Sequence, residues 1–126
     1  MENPVKEIHE SLLKYFDALY FGDSALFSEL FHTDACLYCN TGDAFTSMTV
    51  AEYLDLVAGR QSPASRGDPR EDRILEIAVP TATTAHARVQ ELFLPKRFTD
   101  ELTFIRASGR WKIIAKVWHF DLVPQT

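Results

Sequence analysis

The stretch from Phe98 to Phe120, FTDELTFIRASGRWKIIAKVWHF, constrains this chain most. Phe98, Leu102 and Phe104 alternate with Thr99, Thr103 and Ile105, and a second β-branched and aromatic run follows Ala107-Ser108-Gly109-Arg110. Period-two alternation on both sides of a glycine-containing turn predicts a long antiparallel hairpin. In the second arm Trp111, Ile113 and Val117 share one face, and Ile114, Trp118 and Phe120 the other. One residue breaks the pattern. Asp100 shares its face with Phe98, Leu102 and Phe104, so a carboxylate points into an apolar interior. Its partner depends on the turn. A three-residue loop sets Asp100 opposite Trp118 and Leu102 opposite Lys116, whereas a two-residue loop sets Asp100 opposite Val117. The choice decides whether Lys116 and Trp118, or Val117 and His119, face inward.

The remaining chain reads as a cover for that face. Asn3 can cap and Pro4 suits the first helical position, and Val5, Ile8, Leu12, Tyr15, Phe16 and Leu19 follow helical spacing up to Gly22. Asp23 caps a short second helix with Leu26, Phe27, Leu30 and Phe31 on its buried side. His32-Thr33-Asp34 reads as a loop, Ala35–Cys39 as a strand, Asn40–Asp43 as a turn and Ala44–Met48 as a brief returning strand. Thr49-Val50-Ala51-Glu52 is a capping box opening a third amphipathic helix, with Tyr53 on its apolar side, that Gly59 stops. Residues 60–72 form a polar loop, either a plain connector or the rim of a site. Arg73–Val79 and Thr83–Leu94 are further strands, the second alternating Ala85, Ala87 and Val89 with His86, Arg88 and Gln90. Segregated helices followed by consecutive strands predict an α+β fold with an antiparallel sheet.

Composition narrows the function classes. A net charge of −5 argues against nucleic acid and against an anionic membrane surface. No apolar run approaches a membrane span, and MENPVKEIHE has neither a basic start nor a signal core, so a cytoplasmic location is expected. Cys36 and Cys39 lie three apart on a strand, which turns them to opposite faces and predicts unlinked thiols. His9, His32, His86 and His119 have no ligand spacing on one helix or hairpin face, so no metal is expected; no other cofactor is expected either. With 126 residues and no linker, repeat or low-complexity tract, the chain reads as one domain over residues 1–126.

Two motifs resemble the nuclear transport factor 2-like superfamily. YFDALYFGDSALFSELFHTDACL, residues 15–37, is similar to its aromatic–helix–Gly-Asp–helix–Phe-x-x-Asp-Ala opening. FTDELTFIRASGRWKIIAKVWHF is similar to its last hairpin, above all in the branch named for lumazine binding. The resemblance implies a cone-shaped roll of three N-terminal helices packed on a curved, mostly antiparallel mixed sheet. It also implies a homodimer through the open sheet face, with His86, Arg88, Gln90 and Trp111 on that face. Ketosteroid isomerases in this superfamily pair a helical Tyr with a late-strand Asp as an oxyanion hole; Tyr15 matches the first and Asp100, or Glu101 in another register, the second. Their general base falls at or beside Cys39, where this chain has no carboxylate. The His–Asp pair of the scytalone dehydratases finds no match in His86, which lies opposite its strand's apolar face.

The candidate catalytic residues are therefore Asp100 and Tyr15. A carboxyl in an apolar site can stay protonated and donate a hydrogen bond, as ketosteroid isomerase does; the plainer reading is a structural aspartate pairing with Lys116. Tyr15 is equally readable as core. The expected pocket is lined by Tyr15, Leu19, Phe31, Cys39, Tyr53, Phe98, Asp100, Phe104, Lys116 and Trp118. The ligand expected there is a small apolar or aromatic molecule. Three functions fit: a small-molecule-binding protein, an isomerase, dehydratase or cyclase acting on a polycyclic or ketone substrate, or a dimerisation module. The missing base favours the first.

Overall fold

A computed structural model describes residues 3–124 of the chain. The first helix, α1 (Pro4–Phe21), starts where Asn3 Oδ1 accepts the backbone N–H groups of Val5 and Lys6. It ends at Gly22, whose φ of 64° is the left-handed conformation that closes a helix C-terminus. Ile8, Leu12, Tyr15, Phe16 and Leu19 form its buried stripe. Asp23 then caps α2 (Ser24–Leu30), which runs directly into β1 (Phe31–Cys39). The segment His32–Asp34, expected as a loop, belongs to this strand. The expectation had a physical basis: pairing with the last strand shifts register between Phe31 and Cys36, and the Asp34 N–H donates to His32 Nδ1 at 3.0 Å. A 3₁₀ turn at Thr41–Asp43 leads to β2 (Thr46–Thr49), and the Thr49–Glu52 capping box opens α3 (Val50–Gly59).

Four strands complete the chain: β3 (Asp72–Ala78), β4 (Thr84–Phe93), β5 (Lys96–Ala107) and β6 (Arg110–Leu122). The sheet order is β2-β1-β6-β5-β4-β3. Every neighbouring pair is antiparallel except β1 and β6. The helices lie on one face, α1 across β3 and β4, α2 against β1 and β6, α3 against β1 and β2. Between them sits one apolar core from Ile8 to Ile113. The fold is three helices on a six-stranded mixed sheet.

The hairpin settles its register in a way neither simple loop provides. Ser108 and Gly109 form a two-residue turn, both with positive φ (52° and 75°), as a tight hairpin requires. Yet Asp100 pairs with Trp118 and Leu102 with Lys116, the pairing expected of a three-residue loop. The difference is a β-bulge. Thr103 pairs with Ala115 and Phe104 with Ile113, so Ile114 is an extra residue in β6. Beyond a bulge the side-chain alternation changes phase. Trp111 and Ile113 are buried before it, Lys116 after it, and Val117 is left 48% exposed. Trp111 was expected on the outer face; it is 7% exposed in the core instead, because it precedes the bulge on the inward phase.

Candidate functional site

The bulge delivers Lys116 to the middle of a buried polar cluster. Tyr15, from α1, is fully buried and its hydroxyl donates to Asp100 Oδ2 at 2.6 Å. Lys116 Nζ lies 3.7 Å from the same oxygen and 3.4 Å from the Tyr53 hydroxyl of α3. The ammonium also lies over three rings, 4.8 Å from the centroid of Tyr53, 5.3 Å from Tyr15 and 5.7 Å from Trp118. Side chains from α1, α3, β5 and β6 thus converge on one charge.

A second acid, Glu91 of β4, is fully buried beside them. On β4 the inward phase runs Ala85, Ala87, Val89, Glu91, and Val89 pairs with Asp100, so the two carboxyls are near neighbours on one face. Both Glu91 oxygens and Asp100 Oδ1 meet no protein N–H or O–H donor. A proton on Glu91 directed at Asp100 would pair Asp100 Oδ1 with one of the two Glu91 oxygens. Burial first, and the Asp100 charge second, push the Glu91 carboxyl well above the ordinary glutamate range. Tyr15 is likewise pushed up, by burial and then by Asp100, and stays a phenol. Burial would lower the Lys116 value, but its surroundings, the Asp100 charge foremost, outweigh it and hold the side chain charged. The cluster then contains one ammonium, one carboxylate and one neutral acid, with no net charge. This balance is what allows three ionisable groups to share an apolar interior.

Lys116 also forms the inner end of a recess of about 50 Å³ lined by Leu19, Met48, Tyr53, Leu56, Arg60, Phe98, Lys116 and Trp118. Five of the expected lining residues, Leu19, Tyr53, Phe98, Lys116 and Trp118, meet there. Tyr15 and Asp100 stand behind Lys116 rather than on the wall. Phe31 and Phe104 are in the core. Cys39 is buried with its Sγ 3.4 Å from Thr41 Oγ1, and Cys36 and Cys39 are free thiols. His119 contacts Thr41 and Asp121, and His86 contacts Glu101; neither lines the recess. Among the described residues no group of three or more His, Cys, Asp or Glu side chains could hold a metal, and no helix is long and apolar enough to cross a membrane.

Glu91 was missed although the signal was present: it continues the Ala85-Ala87-Val89 alternation, as Asp100 continues that of Phe98 and Leu102. Arg60, Met48 and Leu56 carried no such signal, since only the packing of α3 against β1 and β2 brings them to the mouth.

Comparison with known proteins agrees with this architecture. Residues 3–119 match the profile of the family described as "Putative lumazine-binding". The chain belongs to that family, within the nuclear transport factor 2-like superfamily. The aldolase FrzH of Cladobotryum sp. is 26% identical over 107 residues, 83% of this chain and 82% of that protein. A nuclear transport factor 2-like protein of unknown function from Shewanella baltica OS155 superposes with a TM-score of 0.82 at 22% identity, covering 99% of this chain and 100% of that one. Another, from Methylobacillus flagellatus KT, has a TM-score of 0.78 at 29% identity, covering 93% and 91%.

Proposed function

We propose that the chain binds a small carbonyl compound in this recess and polarises its oxygen with the Lys116 ammonium and the Tyr53 hydroxyl. One observation carries the reading. Lys116 is a buried ammonium with three N–H donors, and its two polar contacts are long, 3.4 Å to the Tyr53 hydroxyl and 3.7 Å to Asp100 Oδ2. Buried donors of this kind are normally satisfied. A carbonyl oxygen at the inner end of the recess would satisfy them, while Trp118, Tyr53 and Phe98 would flank the flat group attached to it. The lining includes no carboxylate, so the wall donates hydrogen bonds rather than abstracting protons. Asp100 and Tyr15 act behind Lys116, holding its charge and position.

The test is a thermal-shift screen with simple ketones and 1,3-diketones. At about a hundred times its dissociation constant, a ligand adds roughly 2.7 kcal/mol, or about 10 °C for a domain of this size. Tyr53→Phe and Lys116→Met should each remove the shift; a shift unchanged in both would refute the reading.

A second reading, aldol-type catalysis, is favoured by the similarity to FrzH. In an aldol addition an enol carbon bonds to a carbonyl carbon, the carbonyl oxygen becomes an alkoxide, and the enol proton ends on it. Lys116 and Tyr53 would stabilise that alkoxide by hydrogen bonds stronger there than in the ground state. Retro-aldol release from a β-hydroxyketone, lost in Tyr53→Phe, would support it; binding with no turnover would leave the binding function alone.

We also propose a homodimer through the outer sheet face, where Tyr38 and Val117 are paired and exposed. Exposed apolar groups on a sheet favour a partner. Sedimentation equilibrium showing a monomer at high concentration would refute it.

A further inference from the structure

The recess has a second cation, and its situation differs from that of Lys116. Arg60 stands at the mouth, half-buried, its guanidinium 4.6 Å from the Phe93 ring centroid and 6.0 Å from that of Tyr53. The other arginines of the 60–72 loop are neutralised: Arg66 by Asp68 at 2.7 Å, and Arg70 by Asp17 at 2.6 Å and Asp72 at 2.7 Å. Among the described residues Arg60 has no carboxylate partner, so it rests on two aromatic faces with its donors available.

The two ends of the recess therefore call for different groups. At the inner end the charge of Lys116 is already balanced by the Asp100–Glu91 pair, so an anion seated there would bury an uncompensated negative charge. A neutral oxygen fits that position. At the mouth the charge of Arg60 is unbalanced, and a guanidinium matches a carboxylate by paired N–H donors. The size is also restrictive. A recess of about 50 Å³ has room for about four water molecules, which suits the few atoms of a short chain whose acid stays at the mouth and not a polycycle.

We propose that the ligand is a short keto acid, or the keto-acid end of a longer molecule, with its carboxylate on Arg60 and its ketone oxygen on Lys116. This rests on the carbonyl-binding reading above and adds to it the acid and the orientation. Chemically it defines a ligand bound at both its acid and its ketone, with its carbon chain held against Trp118 and Tyr53.

The experiment is a set of ¹⁵N chemical-shift titrations of the full chain with 2-oxobutanoate and 4-oxopentanoate, their methyl esters, and butanoate and pentanoate. At least one keto acid should bind roughly 10- to 100-fold more tightly than both its ester and its parent acid, the worth of a charge-assisted hydrogen bond. Arg60→Gln should bring that acid down to the affinity of its ester, and Arg60→Lys should recover part of the loss. Tyr53→Phe should weaken acid and ester together. Equal binding of acid and ester, or of keto acid and parent acid, would overturn the proposal. If ester binding still depends on Tyr53, the carbonyl reading survives that failure. Absence of any Tyr53-dependent ketone binding would overturn both.

Discussion

Replacing Lys116 with methionine keeps the unbranched stem, shorter by one atom, and removes the cation from the Tyr15–Asp100–Glu91 cluster. The two carboxyls, sharing one proton, would then bury a full negative charge unless they take up a second proton. Relative to the unfolded chain, in which a free carboxyl releases its proton above roughly pH 4, retaining that proton costs about 1.4 kcal/mol for each pH unit above it. The cost is therefore about 4 kcal/mol at pH 7 and about 1.5 kcal/mol at pH 5, the first within the range of about 3–5 kcal/mol for breaking a buried ion pair. A domain of 126 residues, at roughly 2.1 cal/mol/K per residue, loses about 4 °C per kcal/mol. Lys116→Met should thus lower Tm by about 15 °C at pH 7 and by about 5 °C at pH 5. The assay is thermal and urea denaturation across that pH range. Lys116→Met combined with Asp100→Asn should recover most of the loss, because neither charge is then left alone. An equal loss at both pH values, or no recovery in the double variant, would refute the claim that Lys116 balances the acid pair.

Three further outcomes follow from the same cluster and from the helix that faces it. The Glu91 carboxyl is raised in the folded state, so the folded chain keeps a proton that the unfolded chain releases above about pH 4.3; its contribution is full below that value and is lost as pH rises through the folded value. Glu91→Gln should flatten that decline, so that the variant gains on the wild type from acid to mildly alkaline pH in a denaturation series. Tyr15→Phe removes the 2.6 Å bond to Asp100 and should cost about 2–3 kcal/mol, or about 8–11 °C by calorimetry. Thr49→Ala removes the capping box of α3 and should cost about 1 kcal/mol without altering the pH profile.

Much of the fold was legible because local chemistry decided it. The Asn3 and Asp23 caps, the left-handed Gly22, the Thr49–Glu52 box and the Ser108-Gly109 turn are each set by residues within a few positions of one another. Period-two alternation likewise marked Asp100 as inward-facing, and it is 1% exposed. The same rule applied to β4 identifies Glu91, so half of the acid pair was written in the pattern and passed over. The β1 segment at His32–Asp34 resembled a loop because its pairing with β6 is locally broken.

By itself the amino-acid sequence determined the elements, their order and the presence of a carboxylate on an apolar face. Only the tertiary structure decided what that carboxylate meets. The turn alone predicts Val117 opposite Asp100, yet the bulge at Ile114 shifts the far half of β6 by one residue and turns Lys116 and Trp118 inward. A bulge depends on which side chains of β6 the helices and β1 will accept on each face, a choice made over the whole sheet and not within the hairpin. The recess has the same origin. Leu19, Tyr53, Arg60, Phe98 and Lys116 come from separate segments, and their meeting follows from the packing of α1 and α3 over the inner face. Burial also set the charge state: a lysine and two acids would all be ionised in water, and the apolar interior keeps the lysine charged and leaves the two acids one proton between them.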